Sequence, residues 1–486
     1  MNQVLPPPGA LGSDGFVPGV PRLGIPDLQL IGAGLGVTNL QRVPDRATTA
    51  FPSTLAQTAS WDPAVSHAFG AALGAEARAL GFNVLLAGAV NVAVEPRCGR
   101  LFEYRGEDPV LAGVMVAGEL TGTQEQGVVA SIKHFAANCQ ETGRFVVNSV
   151  LDECALRQGE LLACEIGISR SGVGAVMTSY NKVNGACASE NRYLLTEVLK
   201  QEWGFTGWVM SDWGATHSTV ESALAGLDQE FFQHEHYGPA LKDAVLRGAV
   251  PIDRLDDMVT RIVRTLNTVG LLGNPPTPAA SIDPQRGADV AQAIAEQGIA
   301  LLKNERALLP LDPNRVRSVA VIGGHADIAV PCGAGSATVS PQGGDPVRGD
   351  ANPAHAFPTE VWVASSPLES LRTAAPHTEF RYASGDDPAA AAAPAAECDT
   401  AVVFAVQQAS EHFDLPDLQL PADQAALIRT VAAANPDTVV VLETAGPVLT
   451  DWATEVPAVV EAWLPGQRGG QAIANVLLGH VKTTGN

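Results

Sequence analysis

The sequence predicts an α/β protein whose first part is a parallel (β/α) barrel and whose last part is a second α/β unit. Short apolar runs typical of buried strands alternate with helical patterns over residues 1–272, which favours repeated β-then-α units and a parallel sheet. An open sheet would give the same alternation. Polar residues follow several different strands, and this arrangement favours the barrel, because barrel enzymes place their chemistry at the carboxyl ends of strands.

Local signals predict the elements of the first part. Asp62 and Pro63 suit a helix N-cap and a first helical residue, and an apolar stripe at helical spacing follows them as far as Leu80. The remaining patterns predict strands over 82–87, 128–134, 174–180 and 207–212, and helices over 153–168 and 194–202.

A linker rich in Pro and Gly is predicted over residues 273–290, and it separates a first domain, 1–272, from a second, 291–486. The Ala- and Pro-rich stretch 386–396 predicts a surface helix or loop. Buried strands of the second domain are predicted over 299–304, 318–324, 400–406 and 438–442.

Composition excludes several classes of function. The net charge of −22 would repel phosphate backbones and anionic headgroups, so nucleic acid and membrane surfaces are not expected partners. The seven cysteines are scattered without a CxxC pair, which argues against a zinc site, and no metal or cofactor is indicated. The first residues lack the basic and apolar regions of a secretory signal, so the compartment stays open.

The candidate functional groups are charged or aromatic residues that suit a substrate rich in hydroxyl groups. Basic neighbours keep an aspartate ionised, as a nucleophile requires. Glycoside hydrolysis also needs a second carboxyl group that delivers a proton. The best candidate for it lies in the polar loop 408–414, which follows strand 400–406 and contains Glu411 and Asp414. The candidates of the first domain are Arg100, Glu103, Lys133, His134, Arg144, Tyr180 and Asp212.

Simpler roles stay open for some of these residues. Lys133 and His134 could only cap strand ends, and Arg144 could pair with a surface carboxylate. Tyr180 could only pack its ring, and Trp213 could belong to the core.

The order of the motifs along the chain resembles family 3 glycoside hydrolases of the β-glucosidase/β-xylosidase type. The matching blocks run nearly from end to end of the sequence. They include Pro21-Arg22-Leu23-Gly24-Ile25-Pro26, Gly99-Arg100-Leu101-Phe102-Glu103-Tyr104, Lys133-His134-Phe135, Glu141-Thr142-Gly143-Arg144, Met177-Thr178-Ser179-Tyr180-Asn181, Trp208-Val209-Met210-Ser211-Asp212-Trp213, Leu301-Leu302-Lys303-Asn304 and Pro465-Gly466-Gln467.

This resemblance implies a (β/α) barrel that carries the nucleophile, followed by an α/β sandwich that supplies the acid/base loop. The implied activity is that of a retaining, exo-acting β-glycosidase without a cofactor, with β-glucosidase as the first choice. Asp212 matches the family nucleophile. Glu411 lies where related sequences carry the acid/base, with Asp414 and Glu443 as rivals because the family's acid/base loop varies in sequence. The positions that match the sugar-binding subsite are Arg100, Lys133, His134, Arg144, Tyr180 and Trp213.

The implied substrate is an oligosaccharide or an aryl or alkyl β-glycoside. The alternatives are a β-xylosidase, a broad-specificity β-glycosidase, or a degenerate sugar-binding relative with little turnover. The last strand of the sandwich is expected to be missing, so the domain would be truncated, and an exposed sheet edge would favour a homo-oligomer.

One block departs from the resemblance at Gly32, where the family usually carries an aspartate that binds the distal hydroxyls of the sugar. Loss of that carboxylate should lower kcat/KM by about tenfold or more. Restoring it as Gly32→Asp is expected to raise the activity, unless Asp27 or another acid substitutes from a shifted position.

Overall fold

The computed structural model describes residues 8–41, 43–44, 46–231, 234–279, 282–347 and 357–482. Their contacts divide the chain into two compact units. The first unit takes in Met1–Arg46, Asp62–Glu95 and Tyr104–Asp283, and the second takes in Ala47–Trp61, Pro96–Glu103 and Pro284–Asn486.

The strands of the first unit are, in chain order, β1 (Gly15–Val17), β2 (Leu28–Gly32), β3 (Val84–Leu86), β4 (Val129–Phe135), β5 (Asn148–Ser149), β6 (Ala175–Thr178), β7 (Lys182–Val183), β8 (Ala186–Cys187) and β9 (Trp208–Met210). The main sheet has the order β1, β2, β3, β4, β6, β9. Strand β1 is antiparallel to β2, and the other pairs are parallel. Strands β5, β7 and β8 form a small separate sheet.

Helices follow the strands of the first unit, as the alternating pattern predicts. The helix Pro63–Ala79 begins at the predicted cap, where the Asp62 carboxylate accepts a hydrogen bond from the amide of Ala64 at 2.9 Å. The predicted helix over 194–202 is present as π-helical turns, Tyr193–Glu202. The other helices of this unit are Pro109–Gln124, Val220–Ala225, Pro239–Leu246 and Ile252–Thr268. One further helical segment begins at Glu153–Ala155, continues through the π-helical turns Leu156–Leu161 and ends with the helix Leu162–Ser171.

Both faces of the parallel strands are buried. Met177 and Met210 belong to one apolar cluster, whereas the alternating neighbours Val176 and Val209 belong to another. A strand covered on both faces has no polar side to alternate with. This explains why the strands read as uninterrupted apolar runs in the sequence.

The strands of the second unit are β10 (Ala300–Asn304), β11 (Ser318–Ile322), β12 (Ala329–Cys332), β13 (Val361–Ala364), β14 (Glu379–Ala383), β15 (Thr400–Gln407), β16 (Thr438–Thr444) and β17 (Ala458–Glu461). The main sheet has the order β10, β17, β16, β15, β11, β14 and is parallel except for β10. Strands β12 and β13 pair separately. The helices of this unit are Thr54–Ala59, Pro284–Gly298, Pro367–Ala374, Pro388–Glu397, Gln424–Ala434 and Gly469–Leu477.

Each unit is built from three segments that are separated in the sequence. Residues 47–61 and 96–103 lie in the first domain predicted from the sequence, but in the structure they belong to the second unit. The amide of Ser53 donates to the Leu464 carbonyl at 2.9 Å, and the Leu415 amide donates to the Arg97 carbonyl at 2.8 Å. The helix Pro284–Gly298 likewise begins inside the segment 273–290, where a linker was predicted.

The α/β fold class predicted from the sequence is confirmed, with a barrel-like first unit and an α/β sandwich as the second. Across the described ranges, no helix combines the length and the apolar character that crossing a membrane requires.

Candidate active site

Three neighbouring strands of the first sheet end in polar residues that the sequence singles out. Lys133 and His134 lie near the end of β4, Tyr180 follows β6, and Asp212 follows β9. Because these strands are parallel and adjacent in the order β4, β6, β9, their carboxyl ends meet at one edge of the sheet. The structure therefore brings the four residues to the edge where ligands bind in parallel α/β proteins.

Asp212 and His134 form the centre of this edge. His134 Nε2 lies 3.6 Å from Asp212 Oδ2, and Asp212 Oδ1 accepts a hydrogen bond from the Trp213 amide at 2.6 Å. Asn91 orients the imidazole, since its Oδ1 lies 3.1 Å from Nδ1 and also accepts from the His134 amide at 2.9 Å. The Asp212 side chain is 12% exposed, so it is held by the protein but can be reached from outside.

Lys133 places another basic group at this edge of the sheet, next to the end of β3. It is buried, and its ammonium group donates to the Leu86 carbonyl at the end of β3 at 2.8 Å. A buried ammonium group is costly unless other groups share its charge. We therefore expect acidic partners at this edge.

Arg144 and Tyr180 lie together on the loops beyond the strands. The Arg144 guanidinium lies 4.7 Å above the Tyr180 ring and donates to Glu141 Oε2 at 2.8 Å. Phe145 packs edge-on against the same ring at 4.7 Å. The carboxylate partner of Arg144 is thus a buried residue rather than a surface one.

Trp213 packs against the core, which is the simpler role that the sequence left open, and its contact with a sugar stays a prediction. It is partly buried against the apolar cluster inside the sheet and meets the Phe231 ring edge-on at 5.0 Å. It also directly follows Asp212 and fixes that carboxylate through its amide.

Glu411 lies in the second unit, on the loop that follows β15. Its Oε2 accepts a hydrogen bond from the Ser336 amide at 2.8 Å, and its Oε1 lies 3.8 Å from Arg100 Nη1. The loop of Glu411 packs directly against Gly99. A Cβ on that glycine would lie 1.9 Å from the Phe413 carbonyl oxygen and 2.4 Å from that of Ser410, so a larger residue would displace the loop.

Arg100 belongs to the second unit together with Glu411, and not with the Lys133 and His134 group of the first unit. It is buried and forms a two-point ion pair with Glu103, with distances of 2.8 Å and 3.0 Å. Glu103 therefore balances the charge of an arginine that reaches Glu411.

The two rivals of Glu411 have different surroundings. Asp414 Oδ1 accepts from the Gly99 amide at 3.2 Å, so this carboxyl ties the loop to the preceding segment. Glu443 lies within β16 and is 0% exposed. Burial, and then the neighbouring Glu461, raise the pKa of Glu443 well above its usual range. A carboxyl group inside the strand layer cannot reach a substrate outside it.

An acid that the sequence reasoning missed lies beside Gly32. Asp14 Oδ2 accepts a hydrogen bond from the Gly32 amide at 2.7 Å. Asp27, the alternative considered from the sequence, is exposed before the start of β2 and accepts from the Gly19 amide at 2.7 Å. Only the pairing of β1 with β2 brings Asp14 to the carboxyl end of the sheet, so no local pattern marks this residue.

In the part of the chain that the structure describes, no three or more His, Cys, Asp or Glu side chains are grouped as a metal site would require.

Residues 22–265 match the glycosyl hydrolase family 3 N-terminal domain, and residues 299–486 match the glycosyl hydrolase family 3 C-terminal domain.

Individual relatives agree with this match. Thermostable beta-glucosidase B of Acetivibrio thermocellus is 35% identical over 477 residues, which cover 96% of this chain and 61% of the relative. An exo-alpha-(1->6)-L-arabinopyranosidase of Bifidobacterium longum is 35% identical over 464 residues, which cover 90% of this chain and 57% of the relative. The chain therefore spans about three fifths of the length of these curated relatives.

A solved structure has the same fold. The crystal structure of DesR, a beta-glucosidase from Streptomyces venezuelae in complex with D-glucose, superposes with a TM-score of 0.88 at 29% identity. The match covers 98% of this chain and 74% of that one.

Proposed function

Since this chain belongs to glycosyl hydrolase family 3, we propose that it is a retaining, exo-acting β-glycosidase that releases terminal β-D-glucosyl residues. The observation that carries the proposal is the Asp212 carboxylate, which lies at the carboxyl edge of the first sheet beside His134. Relatives named beta-glucosidase support glucose as the sugar. The substrate is then an oligosaccharide or an aryl or alkyl β-glucoside.

The first chemical step forms a glycosyl ester on Asp212. One oxygen of the carboxylate attacks the anomeric carbon, the glycosidic C–O bond breaks, and the leaving oxygen takes a proton from Glu411. The amide of Trp213 fixes Asp212 Oδ1, which restricts rotation of the nucleophile.

The second step returns both carboxyl groups to their starting forms. A water molecule attacks the same carbon, Glu411 takes its proton, and Asp212 leaves as a carboxylate. Two inversions at one carbon retain the β configuration of the sugar. Lys133, His134, Arg144 and Tyr180 bind sugar hydroxyls and the ring during both steps.

A direct test is the release of nitrophenol from p-nitrophenyl β-D-glucoside by the wild type, Asp212→Ala and Glu411→Ala. We expect Asp212→Ala to be inactive and Glu411→Ala to recover activity in azide with the β-glucosyl azide as product. Asp414→Asn is the matched control, since its carboxyl lies on the same loop. If Asp414→Asn and not Glu411→Ala needed azide, the assignment of the acid/base would be wrong.

The nucleophile can be identified independently by trapping. A 2-deoxy-2-fluoro-β-D-glucoside with a dinitrophenyl leaving group should leave a stable sugar ester, and peptide mass spectrometry should locate it on Asp212. An ester on any other residue would contradict the proposed mechanism.

A second candidate is a glycosidase for pyranosides without an exocyclic hydroxymethyl group, a β-xylosidase among them. The relative named an exo-alpha-(1->6)-L-arabinopyranosidase supports this choice. Parallel kcat/KM values on nitrophenyl β-D-glucoside, β-D-xyloside and α-L-arabinopyranoside decide between the sugars. Calorimetric binding of glucose without turnover of any glycoside would instead indicate a sugar-binding relative.

A further inference from the structure

Asp14 lies directly before β1, and the pairing of β1 with β2 sets its position. The Asp14 amide donates to the Leu30 carbonyl at 2.9 Å, and its carboxyl Oδ2 accepts from the Gly32 amide at 2.7 Å and from Thr38 Oγ1 at 3.3 Å. The carboxyl group therefore lies over the last residue of β2, at the same edge of the sheet as the groups at the ends of β4 and β9.

Gly32 and Asp14 are sterically complementary. A Cβ on residue 32 would lie 3.1 Å from Asp14 Oδ2 and 3.1 Å from Thr38 Oγ1, which is tighter than ordinary van der Waals contact. A larger side chain at position 32 would compete with the Asp14 carboxyl for the same space. The glycine therefore leaves uncrowded space for the carboxyl of Asp14, the residue directly before β1.

The carboxyl is held beside a positive charge. Lys133 donates to the carbonyl of Leu86, the residue that pairs with Gly32 in the sheet, so its ammonium group lies near the Asp14 carboxyl. Burial raises the pKa of Asp14 to about 6, while the hydrogen bonds of Gly32 and Thr38 and the charges of Lys133 and Arg46 oppose the rise.

One oxygen of this carboxyl is not used by the fold. Both hydrogen bonds go to Oδ2, and Oδ1 accepts none from the residues that the structure describes. Asp14 is 6% exposed. Oδ1 can therefore accept a hydrogen bond from a hydroxyl group of a bound ligand.

We propose that Asp14 is a specificity-determining residue that binds hydroxyl groups of the sugar ring, far from the bond that Asp212 attacks. This inference rests on the proposed glycosidase function. Lys133 lies beside Asp14, and the next residue, His134, contacts Asp212, so the edge carries an acid at each end with basic groups between them. A carboxylate accepts hydrogen bonds from two hydroxyls, and such charge-assisted bonds are among the stronger ones in proteins.

The same geometry changes the expectation for Gly32→Asp. In the wild-type background the new carboxylate would be forced against Asp14, and two like charges in one site oppose each other. Gly32→Asp alone is therefore expected to lower activity. Combined with Asp14→Ala, which vacates the space, it is expected to restore activity.

The test compares kcat/KM on nitrophenyl β-D-glucoside with kcat/KM on its 4-deoxy and 6-deoxy analogues. We expect Asp14→Ala and the similarly shaped Asp14→Asn to lose tenfold or more on the glucoside but much less on the analogue that lacks the bound hydroxyl. The double variant Asp14→Ala/Gly32→Asp should exceed both single variants on the glucoside. Asp27→Ala, an exposed acid at the other end of β2, is the matched control and should equal the wild type.

An equal loss on all three sugars, or no loss, would overturn the role of Asp14 while leaving the glycosidase function in place. If the wild type hydrolyses no glycoside, the proposed function fails, and calorimetric titration with D-glucose then tests Asp14 alone. Binding at least tenfold weaker in Asp14→Asn supports its role. Unchanged binding, or no binding by the wild type, overturns it.

Discussion

The carboxyl edges of the two main sheets carry the same residue types in opposite electrostatic settings. At the first edge Asp14 and Asp212 each lie near a basic side chain, Lys133 or His134. Near the second edge, Glu443 lies within β16 and Glu461 ends the adjacent strand β17, and the charge of Glu461 adds to burial in raising the pKa of Glu443.

The two acids of the second edge are harder to ionise than ordinary glutamates. Burial raises the pKa of Glu461 to about 8, and that of Glu443 rises well above its usual range. No hydrogen bond reaches the carboxyl of Glu443 from the described residues, whereas Glu461 accepts from the Trp463 amide at 2.7 Å. A strand-end carboxyl is therefore an ion or a neutral acid according to what the neighbouring strand places beside it.

The largest effect should come from exchanging carboxyls for amides at the two edges. Asp212→Asn should lower kcat on nitrophenyl β-D-glucoside by at least about 10³-fold, because the amide cannot act as the nucleophile. Glu443→Gln should leave kcat within about threefold of the wild type, since a group that is already neutral loses no charge. Comparable losses in both variants would remove the functional distinction between the edges.

The second edge should respond to pH through its stability. The pKa of Glu461 is about 8 in the folded protein against 4.5 for an ordinary glutamate, so the folded state holds its proton longer than the unfolded state. The contribution of Glu461 to stability is then largest below about pH 4.5 and is lost as the pH rises towards 8, by about 4–5 kcal/mol.

Glu461→Gln should therefore flatten this decline and raise the melting temperature at pH 8 but not at pH 4.5. Calorimetric scans of the wild type and the variant across that range would measure it. A variant that is less stable at pH 8 would mean that Glu461 is ionised in the fold.

The loop of Glu411 packs closely against the backbone at Gly99. Gly99→Ala would put a Cβ 1.9 Å from the Phe413 carbonyl oxygen, so the loop has to move. We expect kcat to fall by about 10- to 100-fold, with little change in the circular dichroism spectrum. Gly159→Ala has open space around its Cβ and is the matched control. Equal activity of the two variants would show that the loop tolerates the displacement.

The smallest effect should be on stability at the first edge. The pKa of Asp14 is about 6 in the fold against 3.8 ordinarily, so its ionisation destabilises the protein as the pH rises from about 4 to 6. Asp14→Asn should then be more stable than the wild type above pH 6, by about 1–3 kcal/mol, while losing activity. Chemical denaturation at pH 4 and pH 7 measures the difference, and a loss of stability at pH 7 would contradict it.

Much of this organisation is predictable from local patterns. The cap at Asp62 and the apolar runs of β4 and β15 have consequences within a few residues, so the sequence predicts them correctly. The strand-end residues Lys133, His134 and Asp212 are visible for the same reason, because each directly continues or follows such a run.

The remaining features depend on contacts between distant parts of the chain. Residues 96–103, with Arg100 among them, pack with a unit that is built mainly from the other half of the sequence. Glu443 resembles a reactive strand-end acid until the sheet order places it inside the fold, beside Glu461.

By itself, then, the sequence determined the α/β class, the order of strands and helices, and the residues at the strand ends, since these follow from caps, turns and apolar periodicity. Only the tertiary structure decided which acids have basic neighbours and which do not. Asp14 lies beside Gly32 because β1 pairs with β2, 18 residues apart at that contact, and because glycine leaves the space. The ionisation of a carboxyl group is set by burial and by neighbouring charges in space.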